Sequence, residues 1–168
     1  DQLHQRSHEL EQRLSGATSE NAAISGFARA SFLLRRQRLK EALALLVELR
    51  RGLESQAPSP DRDVALAIGL FHEGLARLDY GHPETAIDLL RRSMKLADRS
   101  EGDPRGRALR LAYLAEALVA LGRPVAAEEA LAQLAQARRA ANLNGFDLVF
   151  FEARLRVRVA LLRGRTEQ

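Results

Sequence analysis

His4 and His8 stand four residues apart, with Glu9 and Glu11 just after them. On a helix the two imidazoles share a face, a spacing that can hold zinc. The simpler reading is the polar face of a terminal helix, and no metal is expected. His72 and His82 stand alone. The chain has no Cys, which excludes disulfides, thiolate metal sites and a thiol nucleophile. It contains no Gly-x4-Gly-Lys-Ser/Thr phosphate loop and no Gly-x-Gly-x-x-Gly turn. No Ser, His and acid fall at a recognisable catalytic spacing, so no catalytic residue and no cofactor are expected. Glu128 and Glu129, like Asp61 and Asp63, read as solvated helix faces.

The other group able to do chemistry is arginine. In "EARLRVRVALL" (152–162) Arg154 and Arg158 share a helical face while Arg156 points elsewhere. Two guanidiniums so placed could hold a phosphate or carboxylate, or they could face a further helix of the same hairpin. The remaining arginines are spread through most segments. Arg50, Arg51, Arg99, Arg138 and Arg139 sit near helix C-terminal turns, where a cation complements the dipole. A duplex would want them gathered on one element, so direct nucleic-acid binding is not expected. The isoelectric point near 10.3 rests on a net charge of only +4, with Lys40 and Lys95 the sole lysines. An arginine-for-lysine bias of that kind says little about a partner.

What must position these groups is helix. Apolar residues recur at three- and four-residue spacing almost throughout, and aromatic residues make up only 5% against 46% hydrophobic, a mix poor in strand formers. Punctuation at "SGATSEN", "APSPDRD", "GHP", "SEGDPRG", "GRP" and "NLNG" divides the chain into eight helices. They run roughly over 2–14, 19–36, 38–55, 62–80, 83–99, 105–121, 124–141 and 146–163, with ends placed to about 2–4 residues. Ser59 or Asp61 can cap the fourth, and Pro83 and Pro124 suit a first helical turn. No apolar run reaches the roughly 20 residues that span a bilayer, and no leader opens the chain, so the expected setting is cytoplasmic. A start at Asp1 without Met reads as an excised or processed piece.

The helices repeat. "RLDYGHPETAIDLL" (77–90) and "LVALGRPVAAEEAL" (118–131) match at Gly81 and Gly122, Pro83 and Pro124, Ala86 and Ala127, Leu90 and Leu131, 41 residues apart. Gly ends one helix in the left-handed conformation and Pro starts the next. Seven residues before each turn stand Gly74 and Ala115, and small residues there and at Ala86 and Ala127 let two antiparallel helices touch. The phase extends to Gln37, with Ala30, Ala42 and Leu46 at matching places, and to Gly164, with Val157 before it. The predicted fold is all-α, an antiparallel helical-hairpin solenoid with repeats of about 41–44 residues. Residues 1–22 read as an N-terminal helix and linker. The repeats occupy 23–168, as about 23–60, 61–103, 104–145 and a partial 146–168, a fragment of a longer array.

Gly74–Gly81–Ala86–Leu90 and Ala115–Gly122–Ala127–Leu131 resemble the tetratricopeptide repeat over about residues 23–168. The repeat is longer than that family's and carries Leu at most of its aromatic positions. "MKLADRSEGDPRGRALRLAYLAEALVALGR" is similar to the sensor region of MalT-like, LuxR-type ATP-dependent transcriptional regulators. The resemblance implies a right-handed superhelix whose first helices line a concave wall, and a sensing role relayed to ATPase and DNA-binding domains lying elsewhere. In that frame the wall carries Phe27 and Arg35, Phe71, Leu75 and Asp79, then Glu116, and Phe151, Arg154 and Arg158. An apolar floor with a few charges suits a small-molecule or peptide effector or a protein partner. Two readings of the phenylalanines stand open, a lined groove and packing between hairpins. A constitutive scaffold, with a possible homodimer anchored by Phe150 and Phe151, is the rival function.

Overall fold

The computed structural model describes Arg6, residues 20–99 and residues 103–166. The helix expected over 2–14, with His4, His8, Glu9 and Glu11, lies outside the described residues, Arg6 apart. From Glu20 onward the described chain is helical, with no strand: α1 (Glu20–Arg35), α2 (Leu39–Glu54), α3 (Pro60–Asp79), α4 (Pro83–Ala97), α5 (Pro104–Ala120), α6 (Pro124–Ala140) and α7 (Phe146–Thr166). No described helix is long and apolar enough to cross a membrane.

Local chemistry sets these ends. Pro60, Pro83, Pro104 and Pro124 each open a helix, where the missing N–H has no intrahelical partner to lose. Ser59 caps α3 by accepting from Arg62 N at 3.0 Å. At the other ends, Gln37, Gly81, Gly122 and Asn142 adopt positive φ of 59°, 84°, 65° and 52°. In each case the next N–H reaches back to the helix, as in Arg38 N to Leu33 O at 2.9 Å and His82 N to Arg77 O at 2.8 Å. The residue at positive φ bonds one turn in, as in Gly122 N to Val119 O at 3.0 Å. This paired bonding satisfies carbonyls that a helix end leaves open. The turn expected at Gly164 is not formed: α7 runs through it to Thr166. A lone Gly costs a helix about 1 kcal/mol, too little to stop one by itself.

Consecutive helices pack on each other, and α1, α3, α5 and α7 also pack in series. Within the α3–α4 pair, a methyl group added at Gly74 would sit 3.1 Å from Leu90 Cγ and 3.5 Å from the Ala86 carbonyl oxygen. Ala67 O meets Ser93 Oγ farther back along α3 and farther on along α4, so the two helices run antiparallel. Ala30, Ala42, Ala86, Ala115 and Ala127 are all fully buried. Leu46, Leu90 and Leu131 fill the space beside them, also with at most 1% exposure, each contributing roughly 1.5–3 kcal/mol by burial. The core forms two clusters, one over α1–α4 around Phe27, Leu46 and Leu70, the other over α4–α7 around Leu90, Leu111 and Leu131.

Each junction between pairs carries an arginine clasp. Arg50 of α2 donates to buried Glu73 of α3 at 2.7 Å. Arg110 of α5 donates to Ser93 Oγ of α4 at 2.7 Å, and that hydroxyl donates to Ala67 O of α3 at 2.6 Å. Arg138 of α6 donates to Glu152 of α7 at 3.0 Å. Arg50 and Arg138 are thus more than dipole-complementing cations at helix ends.

Gln37 holds a conformation that an L side chain reaches at roughly 1–2 kcal/mol. Gln37→Gly should therefore stabilise the fold by about 0.5–1 kcal/mol after the extra chain entropy of Gly. Gly122→Ala, at φ 65°, should destabilise it by about 1 kcal/mol. Urea denaturation of the two variants checks both signs.

Candidate functional site

Helices α1, α3, α5 and α7 meet along one line of rings. Phe27 stacks on His72 with centroids 6.5 Å apart, His72 meets Phe71 at 5.4 Å, Phe71 meets Tyr113 at 5.8 Å and Tyr113 meets Phe151 at 5.2 Å. Guanidiniums cap two of them, Arg110 at 5.6 Å over Phe71 and Arg154 at 4.7 Å over Phe151, a favourable cation–ring arrangement. Phe71 and Tyr113 are 42 residues apart and Tyr113 and Phe151 are 38 apart, so neighbouring turns of successive odd-numbered helices deliver rings to the same line without standing at equivalent repeat positions.

The series ends at a cleft of about 220 Å³ between α5 and α7. Leu109, Ala112, Tyr113, Leu148 and Phe151 form its apolar floor, and Arg105 and Asp147 stand at its rim. Its far wall is the α6–α7 connection, through Leu143 and Gly145. Arg138 fixes that wall, donating to Leu143 O at 3.1 Å while it holds Glu152. Burial, with the Glu116 and Asp79 carboxylates nearby, raises the Tyr113 hydroxyl above its ordinary value. At neutral pH it is a protonated donor. A wider hollow of about 540 Å³ lies between the end of α4, the start of α5 and the end of α6. It is lined largely by Ala, Gln and the Arg107–Asp98 ion pair, and no ring reaches it.

The expected wall residues divide into three groups. Glu116, Arg154 and Arg158 do converge: Glu116 Oε1 lies 3.1 Å from Arg154 and 3.4 Å from Arg158. The two guanidiniums thus enclose a carboxylate of the protein itself, not an open anion site. Phe71, Leu75 and Phe151 are half-buried on the ring side, and Phe151 lines the cleft. Phe27 corrects the groove reading. Its side chain is 1% exposed and seated on Gly69, where an added methyl would fall 2.5 Å from its Cζ. That is packing between hairpins. Arg35 and Asp79 lie exposed at the ends of α1 and α3, and neither lines the cleft; desolvation still raises the Asp79 carboxyl above its ordinary value.

Residue-by-residue reading missed Tyr113, which stands one residue past the repeat equivalent of Phe71, and it missed Gly69, which sits mid-helix as Gly74 does. It also set aside His72, whose Nδ1 lies 3.2 Å from Ser31 Oγ. Burial, with the Arg110 cation nearby, pushes this imidazole down to about 4, so it is neutral at pH 7. The chain matches no protein-family model and no curated protein.

His72 generates a pH prediction. Its folded value of about 4 lies below the ordinary 6.5, so on acidification the unfolded chain takes up the proton first. The stabilisation is complete above about pH 6.5 and is lost as pH falls toward 4. Between pH 7 and pH 4.5 the wild type should lose up to about 2–3 kcal/mol more than His72→Gln. Urea midpoints across that range measure it, and parallel pH profiles for the two proteins would remove the assignment.

Proposed function

We propose that this chain is a non-catalytic, ligand- or protein-binding helical repeat domain. Its hairpins stack as a right-handed, tetratricopeptide-like solenoid, and it senses a signal within a larger cytoplasmic regulator of the LuxR/MalT-like kind. The observation that carries the reading is the line of rings Phe71–Tyr113–Phe151, which crosses three helices and opens into the α5–α7 cleft. An apolar floor with one donor hydroxyl and two rim charges is how a small-molecule or peptide site is commonly built. The volume of about 220 Å³ falls below the several hundred that usually enclose a drug-sized molecule, so the occupant is a fragment-sized group or one side chain of a peptide.

Several features favour binding over chemistry. The half-buried histidine is neutral and wedged between Phe27 and Phe71. The buried carboxylates Glu73 and Glu152 are held by arginines at helix junctions. A scaffold function is the second reading, favoured by the apolar outer side of α7, where Val157 and Leu161 are 60% and 64% exposed.

An NMR fragment screen tests the cleft. Hits should perturb the methyl groups of Leu109, Ala112 and Leu148, and Phe151→Ala should weaken them at least tenfold while leaving the circular dichroism of the fold intact. Hits that ignore Phe151→Ala and Tyr113→Ala alike, or that perturb other methyl groups, would remove the site.

A further inference from the structure

We propose that the α5–α7 cleft binds a free α-amino acid with an apolar side chain, its carboxylate on Arg105 and its ammonium on Asp147. This names the ligand class of the cleft and rests on the binding reading given above.

Arg105 and Asp147 are the two charged residues that line the cleft, and they come from the first turns of α5 and α7. Both are exposed, and neither pairs with the other or with another described residue. Charges nearby are already taken: Arg107 by Asp98, Glu116 by Arg154 and Arg158, Glu152 by Arg138. Helix stability accounts for Asp147 but not for Arg105. An acid in a first turn complements the helix dipole, whereas a cation there opposes it. Glu41, Glu84 and Asp147 hold that place in α2, α4 and α7, and Asp61 with Asp63 in α3. The first turn of α5 has no acid and carries Arg105. A residue that breaks a local rule without a packing partner is where function is expected.

Each part of a zwitterion then has a place. The apolar side chain enters between Leu109, Ala112, Leu148 and Phe151, and a volume of about 220 Å³ suits one of leucine or phenylalanine size. Contacts of a carboxylate with a guanidinium and of an ammonium with a carboxylate are charge-assisted, so the rim fixes which end faces which helix. A simple anion is repelled by Asp147 and a simple cation by Arg105. A residue inside a peptide has neither charge, and a residue at a peptide end has one. A free amino acid carries both on the carbon that bears its side chain. All the lining residues fall between Arg105 and Phe151. The walls are therefore α5, the start of α7 and the connection before it, and the outer face of α7 takes no part.

Calorimetric titration of the intact 168-residue protein with L-leucine and L-phenylalanine tests this, with methyl NMR spectra to locate the ligand. Saturable binding is expected, with shifts at Leu109, Ala112 and Leu148. N-acetyl-leucine lacks the cation and leucinamide lacks the anion. Each should bind at least about tenfold more weakly than leucine, the loss of one charge-assisted contact. Arg105→Gln should remove the preference for leucine over leucinamide, and Asp147→Asn the preference over N-acetyl-leucine. Both variants change exposed side chains, and a circular dichroism spectrum of each checks the fold. Arg107→Gln, outside the cleft and paired with Asp98, should bind leucine as wild type. A tripeptide with leucine at its centre should not compete. Equal binding of leucine and its two derivatives, preferences unmoved by Arg105→Gln and Asp147→Asn, or a tripeptide that competes as well as leucine overturns the proposal. If apolar fragments occupy the cleft while no amino acid does, the zwitterion site fails and the binding cleft stands. If neither binds, both fail.

Discussion

Two helices of one pair can touch in this protein only because one side offers a hydrogen atom or a methyl group where they meet. Gly74 against Ala86 and Leu90 shows the limit: a single added carbon would already stand 3.1 Å from Leu90 Cγ. Larger residues there would force the helices apart, and separating them would unseat the leucines beside the contact. Losing a well-buried leucine costs on the order of 2–5 kcal/mol, a large share of the 5–15 kcal/mol that typically holds a domain. The small residues contribute little by their own burial. Their effect is to let Leu46, Leu90 and Leu131 contribute fully.

Between pairs the constraint is polar. Taking a guanidinium out of water is expensive unless every charge is met, so the clasps form where geometry is good. Glu73 is met by Arg50 at 2.7 Å and has Arg77 within 3.6 Å. Glu152 is met by Arg138 and Arg156 at 3.0 and 2.8 Å. Arg110 lacks a carboxylate in its buried clasp and relies on Ser93, with the Phe71 ring under its guanidinium. Burial accordingly lowers its basicity. Each clasp has directional demands that an apolar contact lacks, and α5 and α7 are thereby held with their rings on the common line. The clasp at Arg138 does this twice over, gripping Glu152 with one nitrogen and the Leu143 carbonyl at the cleft wall with another.

The local grammar of the chain was readable because it depends on neighbours in sequence. Proline openings and the left-handed turns at Gly81 and Gly122 follow from backbone sterics, and the phase of the repeat placed Gln37 at a turn although its own side chain disfavours it. Gly164 shows where that logic stops: a glycine at repeat spacing is permission to turn, and nothing in the residues after it compels one. The wall was partly readable. Glu116, Arg154 and Arg158 were brought together as a helical frame requires, whereas Phe27 turned inward because Gly69 on the neighbouring helix α3 leaves a hollow for its ring. The clasps were not readable at all. In a chain this rich in arginine, nothing local distinguishes Arg50, Arg110 and Arg138 from arginines in water; only the burial of Glu73, Ser93 and Glu152 by other helices does.

Self-pairing at Glu116 changes what recognition can rest on. Two free guanidiniums on one face would attract any phosphate or carboxylate, with little selectivity. With a carboxylate already between them, an incoming anion would have to displace a tethered group that carries no translational cost. The remaining asymmetry lies in the cleft itself, where the protonated Tyr113 hydroxyl, the Arg105 cation and the Asp147 anion surround an apolar floor. Opposite charges at one rim favour a dipolar group over a simple ion, because either ion alone would meet one repulsive neighbour. In the proposed binding reading, the half-buried rings of Phe151 and Tyr113 would supply the area, and the surrounding charges the orientation.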